Sequence, residues 1–355
     1  MPLTIEGPVP AAWAERGKAS AGTKLAPPPQ RAECITIAFI NNMPDAALED
    51  TELQFFELLD IASGDVPVTL KLFSLTGVPR TERGQRHLND FYASIEELWD
   101  NRFDGMIMTG TEPRCADLRQ EPYWPVLAET FDWAERSTTS TVLSCLAAHA
   151  GVLHADNIPR HRLPDKQFGV FAFAKTASHP LTGATGDFIR FPHSRWNELR
   201  AAELVAGGYT VLTQSPEGGV DSFLKKRKRS LFLHLQGHPE YGAQTLLKEY
   251  RRDIRRFLKK ERDTYPTMPQ GYFDPAATAV LSDFRQIAEP DRREEHMEAF
   301  PEAAVIGTLQ KNWHSSAVGI YRNWLTHVLA TKPEAQAFPA LAATYPHSRK
   351  RSALR

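Results

Sequence analysis

Cys145 stands where the apolar run Ser140-Thr141-Val142-Leu143 gives way, after Ser144, to a small-residue stretch over residues 146–153. A thiol at a strand-to-helix turn meets the free N–H groups of a helix N-terminus, which stabilise its thiolate, and the next N–H, on Leu146, can help hold an oxyanion. A thiol nucleophile needs a base, and the base needs an orienting group. His238 follows a β-type run through a glycine, in Gly237-His238-Pro239-Glu240-Tyr241, and Glu240 lies two residues on, across a proline that stiffens the turn. His-x-Glu tripeptides arise by chance; this one gains weight because both halves fall at strand ends of one chain. Other residues compete less well. His149 sits four residues after Cys145 on the same predicted helix, so its side chain points along the turn and away from the thiol's substrate side. His234 lies inside a predicted strand and reads as a packed core residue, whereas His193, in Phe191-Pro192-His193-Ser194-Arg195, is expected in a polar loop lining the site. Cys34 before a strand and Cys115 in a polar loop read as structural cysteines.

The elements that must position these groups alternate. Strand-like runs at residues 35–40, 68–73, 103–108 and 140–143 are separated by helical periodicity at residues 51–61, 88–99 and 123–136. Such alternation predicts an α/β fold, a mostly parallel sheet with helices on both faces. Reactive groups in open α/β sheets gather at the carboxyl ends of the strands. Four such ends are visible, at Asn41-Asn42-Met43-Pro44, Thr109-Gly110-Thr111, Ser144-Cys145-Leu146 and Gly237-His238-Pro239-Glu240. Short alternating segments at residues 168–173, 209–212 and 230–235 predict antiparallel additions to the sheet, and helices are expected over residues 244–260 and 313–329. Residues 1–33, with prolines at positions 2, 8, 10 and 27–29, are expected to be a loose arm; residues 34–330 form the predicted domain, and residues 331–355 a frayed tail.

Composition narrows the function classes. The chain has 355 residues with 42 Lys+Arg against 43 Asp+Glu, so a generic polyanion or nucleic-acid binder is not expected. No apolar run is long enough to span a bilayer, since residues 141–155 are too few and contain His149 and His154. The N-terminus lacks a signal-peptide pattern, and three scattered cysteines form neither a disulfide scaffold nor a zinc cluster, which suits a reducing cytoplasm.

Several further motifs occur in order along the chain. Ile40-Asn41 with Met43-Pro44, Phe103-Asp104-Gly105 with Thr109-Gly110, Tyr123-Trp124, Asp132-Trp133, Cys145, Ala150-Gly151 and Ile158-Pro159 are followed by Lys166 with Phe168-Gly169-Val170. Then come Pro192-His193-Ser194-Arg195, Gly237-His238-Pro239-Glu240-Tyr241, Glu249-Tyr250 with Arg252-Asp253, and Asn323-Trp324-Leu325. Together they resemble the homoserine O-succinyltransferase (homoserine O-acyltransferase) family. The resemblance implies a class I glutamine-amidotransferase-like, flavodoxin-like fold and an acyltransferase on the way to methionine. It also implies an acyl-CoA co-substrate (succinyl-CoA or acetyl-CoA), no permanently bound cofactor, homoserine or a related hydroxy amino acid as acceptor, and a homodimer. Carried over by position, Cys145 would form the acyl-thioester, His238 accept the proton and Glu240 support it, while Lys166, Ser194 and Arg252 match substrate contacts. Gly110 and Leu146 are the expected oxyanion donors, with Thr111 beside them.

Departures from the family pattern bear on specificity. The lysine usual two residues after Met-Pro is replaced, Asp45-Ala46 standing there, and Leu146 and His149 replace the usual tryptophan and glutamine beside the nucleophile. The acyl-selecting loop reads Thr111-Glu112-Pro113-Arg114. Arg114 there favours a succinyl carboxylate over an acetyl group, an inference that Glu112 could reverse. The basic run Lys225-Lys226-Arg227-Lys228-Arg229 reads as a solvated hairpin turn, with a CoA-tail site as the sharper alternative. Two rival functions use the same residues: a glutaminase-type amidohydrolase, and a catalytically silent binding protein.

Overall fold

The computed structural model describes residues 2–20 and 34–332. Five strands come first, β1 (Leu3–Ile5), β2 (Ile35–Ile40), β3 (Val68–Phe73), β4 (Gly105–Met108) and β5 (Ser140–Ser144). After them run β6 (His161–Lys175), β7 (Phe188–Glu198), β8 (Thr210–Val211), β9 (Thr213–Ser215), β10 (Gly219–Val220), β11 (Ser222–Arg227) and β12 (Ser230–Leu235). They form an eight-stranded sheet ordered β1-β3-β2-β4-β5-β12-β11-β8 and a four-stranded sheet ordered β10-β9-β6-β7. From β1 through β12 the larger sheet is parallel, and β11 and β8 extend it antiparallel.

The period of two along β2 decides which helices pack on which face. Ile35, Ile37 and Phe39 point into one core with Phe55, Phe56 and Leu59 of the helix Asp45–Ser63 and with Tyr321 and Trp324 of the helix His314–Thr331. Ala38 and Ile40 point into the other, with Phe131 and Trp133 of the helix Trp124–Ser137 and Ala147 and Ala150 of the helix Leu146–Asp156. Both faces are therefore covered, which is why the central strands read as nearly continuous apolar or β-branched runs. Each fully buried Phe or Leu contributes about 1.5–3 kcal/mol of transfer free energy. A third core, built on the helix Thr245–Leu258 with Phe168, Phe284 and Trp313, covers the smaller sheet.

The chain leaves β2 for β3 on one side and returns to β4 on the other, so the order of the sheet reverses between β2 and β4. Their carboxyl ends open a crevice there. Its walls are tied: the Asn42 N–H donates to Thr109 Oγ1 at 2.8 Å and the Thr109 N–H to the Ile40 carbonyl at 3.0 Å.

Several elements differ from expectation. The N-terminal arm is not loose over its first part, because Leu3–Ile5 pairs in parallel with β3 and Trp13 packs edge-on against Phe56 at 5.5 Å. Residues 21–33 of the expected arm and 333–355 of the expected tail lie outside the described residues. The helix expected over residues 88–99 is two, Glu82–Phe91 and Glu96–Asp100. Tyr92 breaks it in an extended conformation, and the Ala93 N–H bonds the Leu72 carbonyl at 2.9 Å instead of continuing the helix. The antiparallel segment around residues 168–173 belongs to a separate sheet, as part of the fifteen-residue β6. A helix at Pro275–Ala288, capped by the Asp274 side chain, has no counterpart in the sequence-based reading.

Candidate active site

Parallel pairing of β5 with β12 brings Ser144 opposite Leu235, so the two chains leave the sheet side by side. The Cys145 N–H donates to the Leu235 carbonyl at 2.8 Å, which continues the pairing by one residue. Cys145 then turns sharply, with φ 53° and ψ −114°, to start the helix Leu146–Asp156. A non-glycine residue in that region carries strain of about 1–3 kcal/mol, and it projects the half-buried thiol off the sheet end.

The facing turn is fixed from below. The His238 N–H donates to the Pro192 carbonyl at 2.8 Å and the Gly237 N–H to Asp221 Oδ1 at 3.1 Å. Only glycine fits at 237, since a Cβ there would come within 2.7 Å of His193 Nε2 and 3.0 Å of the Pro192 carbonyl oxygen. His238 Nδ1 lies 2.8 Å from Glu240 Oε1, both groups buried, and the imidazole is electrostatically coupled to Cys145. Burial alone would depress the imidazole pKa. The neighbouring Cys145 and Glu240 outweigh it and hold His238 well above its ordinary value.

The residues beside the thiol also meet. A Cβ on Gly110 would lie 2.9 Å from the Leu146 backbone nitrogen, so the β4 end and the first turn of the helix Leu146–Asp156 touch. Gly110, Thr111, Leu118, Tyr123, Leu146, Ala147 and Ala150 line a narrow pocket at this junction. Arg114 is exposed, its backbone N–H held by Glu121 Oε1 at 2.5 Å, and Glu112 lies 3.9 Å from Arg256.

Lys166 on β6, Ser194 on β7 and Arg252 on the helix Thr245–Leu258 converge on two acids the sequence reading left without a role. Lys166 Nζ is 3.3 Å from Glu249 and 3.0 Å from Asp253; the Ser194 hydroxyl donates to Glu249; and Arg252 Nε donates to Asp253 at 3.1 Å. Burial would raise the Glu249 pKa, but Lys166, Arg252, Ser194 and Tyr241 together hold it below its ordinary value. Tyr241 joins this cluster to the proposed base. Its ring stacks on His238 at 4.2 Å between centroids, and its hydroxyl donates to Glu249 at 2.7 Å. Glu249 and Asp253 stand four apart on one helix face, a spacing that could have flagged them.

The competing groups fall away from the site. His149 Nε2 bonds Gln236 Oε1 at 2.9 Å, and burial pushes its pKa down to about 3, so it is a neutral structural group. His234 is stacked on Phe223 at 4.7 Å. His193 does not stand in a polar loop. It lies fully buried in β7, 3.2 Å from Asp221, where it supports the Gly237 turn from behind. Cys115 Sγ donates to the Gln120 carbonyl at 3.7 Å, and Cys34 Sγ lies 3.5 Å from Thr69 Oγ1. The basic run is the tip of the β11–β12 hairpin and is largely paired within the molecule: Lys225 with Asp156 at 2.7 Å, Lys228 with Glu135 at 2.8 Å, and Arg227 with both acids.

The structure is an α/β protein that brings a cysteine, a histidine and a glutamate together at adjoining ends of parallel strands. The homoserine O-succinyltransferase family model matches residues 13–334. A homoserine O-succinyltransferase of Rhodopseudomonas palustris is 44% identical over 302 residues, covering 85% of this chain and 90% of that one. One from Methylorubrum extorquens is 43% identical, covering 83% and 87%. The chain belongs to the homoserine O-succinyltransferase family, a family of acyltransferases. Among solved structures, a glutamine amidotransferase from Thermotoga maritima is similar at 11% identity with a TM-score of 0.47, covering 83% of this chain and 98% of that one.

Proposed function

We propose that this chain moves a succinyl group from succinyl-CoA, in preference to acetyl from acetyl-CoA, through an acyl-cysteine at Cys145 to the hydroxyl of homoserine. The observation that carries the reading is the meeting of Cys145 with the hydrogen-bonded pair His238–Glu240 at the adjoining β5 and β12 ends. In this scheme His238 takes up the Cys145 proton, and the resulting imidazolium holds the thiolate. The thiolate attacks the acyl-CoA carbonyl, and the Leu146 and Gly110 N–H groups receive the oxyanion. As the tetrahedral adduct collapses, the C–S bond to CoA breaks and the departing CoA sulfur takes the proton from His238.

Acylation then changes the electrostatics. The thioester is neutral, so the anion that raised the His238 pKa is gone and burial works against a renewed positive charge. A neutral imidazole held by Glu240 is the base the second half needs. It takes the acceptor's hydroxyl proton as the oxygen attacks the acyl-cysteine, and expulsion of the Cys145 thiolate restores the starting ion pair. Arg252 offers a fork for the acceptor's carboxylate, with Lys166 and Ser194 as nearby polar contacts. Acyl-CoA is a co-substrate in this scheme, with no permanently bound cofactor. A cytoplasmic location and a homodimer go with the same reading; among the described residues, no helix is long and apolar enough to cross a membrane.

The test is a matrix of acyl-CoA donors against hydroxy amino acids, followed by release of free CoA thiol. Succinyl-CoA with homoserine should give the highest kcat/KM. Ammonia release from glutamine, with no acyl transfer, would reverse the proposal in favour of an amidohydrolase.

A further inference from the structure

Consecutive backbone N–H groups carry the chain from the end of β12 to the proposed base, and two segments receive them. The Gln236 N–H donates to the Asp221 carbonyl at 2.9 Å, the Gly237 N–H to Asp221 Oδ1 at 3.1 Å, and the His238 N–H to the Pro192 carbonyl at 2.8 Å. The place of the His238 ring is therefore set by where Asp221 and Pro192 stand. Pro192 and the next residue, His193, belong to β7, and His193 Nε2 stands 3.2 Å from Asp221 Oδ1.

Asp221, His193 and Arg195 form a buried series that no step of the reaction uses, each at most 4% exposed. A carboxylate so placed needs a compensating charge. Arg195 supplies one through the ring: its Nε donates to His193 Nδ1 at 3.2 Å, and its terminal nitrogens go to the carbonyls of Asn197 and Gly218, each at 2.7 Å. Burial pushes the His193 pKa down to about 4 and keeps the ring neutral. Because Nδ1 accepts, the ring proton belongs on Nε2, the nitrogen that faces Asp221. The Arg195 bond polarises the imidazole, so its Nε2 end is turned more positive toward the carboxylate. Phe173 packs on the same ring at 5.0 Å between centroids. The fit leaves no slack, since a Cβ at Gly237 would come within 2.7 Å of His193 Nε2 and 2.8 Å of Asp221 Oδ1.

We propose that Asp221, His193 and Arg195 are positioning residues, a buried relay that fixes the turn aiming the His238 imidazole at Cys145. This rests on the acyltransferase reading and adds to it the groups that hold the base still. Misplacing a reacting group by about 1 Å costs on the order of 100-fold in rate. The same base serves both half-reactions, so a loosened turn slows both while leaving substrate binding in place.

The experiment compares the full-length protein with His193→Leu, which removes the donor without changing the charge of a neutral ring, and with His193→Gln, which keeps an N–H donor near the Nε2 position. His234→Leu is the control, a buried histidine on β12 stacked on Phe223 rather than on the turn. The readouts are kcat and KM, thermal melting, and the pH dependence of Cys145 alkylation by iodoacetamide. His193→Leu should lower kcat about 10- to 100-fold, with both KM values within about threefold, and shift the acid limb of alkylation to higher pH, because a displaced imidazolium holds the thiolate less well. His193→Gln should recover most of kcat. His234→Leu should keep both kcat and the alkylation limb even where its melting temperature falls. In the wild-type protein, whatever the folding of the variants, the ring 15N shifts of His193 should place the proton on Nε2 at neutral pH. A folded His193→Leu protein with wild-type kcat and alkylation profile, equal losses in His193→Leu and His193→Gln, an equal loss in His234→Leu, or a proton on Nδ1 would overturn the assignment. Alkylation needs no acyl-CoA, so it keeps the two failures apart: a wild-type protein that transfers no acyl group overturns the acyltransferase reading, while an unshifted limb in His193→Leu overturns the positioning role.

Discussion

Gly110→Ala is the sharpest probe of the proposed oxyanion site, because the structure gives the size of the disturbance. The new methyl would lie 2.8 Å from Leu146 Cβ and 2.9 Å from the Leu146 backbone nitrogen, against 3.4–4 Å for ordinary contact. One obstacle is main chain at the start of the helix Leu146–Asp156 and cannot rotate aside. The β4 end and the helix start must therefore separate by roughly half an ångström or more, at an overpacking cost of about 1–3 kcal/mol. Both proposed oxyanion donors sit on the two sides of that contact. Losing one such donor slows catalysis about 10²- to 10³-fold. Rapid-mixing measurement of CoA release in the first turnover should show a loss of that size, with the protein still folded by thermal melting. Gly307→Ala is the control, as nothing lies within 4 Å of its added Cβ. A Gly110→Ala protein with normal first-turnover rate would refute the placement of the oxyanion between these two segments.

Other perturbations separate the remaining roles. Glu240→Gln keeps the shape but removes the charge that helps hold the His238 proton, and kcat should fall about 10³- to 10⁴-fold by analogy with a neutralised triad acid. The pH above which the imidazolium is lost should also move down in Glu240→Gln, read from the pH dependence of thiol alkylation. Glu249 and Asp253 have depressed pKa values in the folded protein, so their contribution to stability is present above their unfolded pKa values and is lost as pH falls through the folded ones. Urea midpoints measured from pH 6 down to pH 3 should fall less steeply in Glu249→Gln, whereas parallel curves would contradict that linkage. Lys226→Glu, on the hairpin tip, should leave the KM for acyl-CoA within about twofold if the basic run is structural; a large rise would revive the CoA-tail alternative.

Much of the frame was legible because it is written in local pattern. The runs around Ile37, Leu70, Met106 and Val142 are apolar or β-branched, and the helical segments between them carry Phe55, Phe56 and Phe131 at helical spacing. Together they announce the mostly parallel sheet with helices on both faces. Cys145 and His238 were visible for the same reason, as residues terminating strands. The pairing of β5 with β12 was not legible, since the partners lie 91 positions apart and nothing local specifies a neighbour at that range. The segment around His193 reads as a loop in sequence because proline, histidine and serine dilute the strand signal. Strand β7 forms nonetheless, and its pairing with β6 buries His193 against Asp221. Tertiary packing overrides propensity here. The first residues of the chain look like an arm in sequence because Leu3–Ile5 is too short to show alternation. Glu249 escaped attention as one acid among many charges on its helix, and only the fold shows Lys166, Ser194 and Tyr241 arriving from elsewhere.

The most direct measurement is the intact mass of the protein after exposure to succinyl-CoA without acceptor, followed by a homoserine chase. The account predicts one succinyl adduct, mapped to Cys145, that disappears when homoserine is added and never forms in Cys145→Ala. Steady transfer to homoserine with an unmodified thiol at every time point, or undiminished transfer by Cys145→Ala, would contradict it.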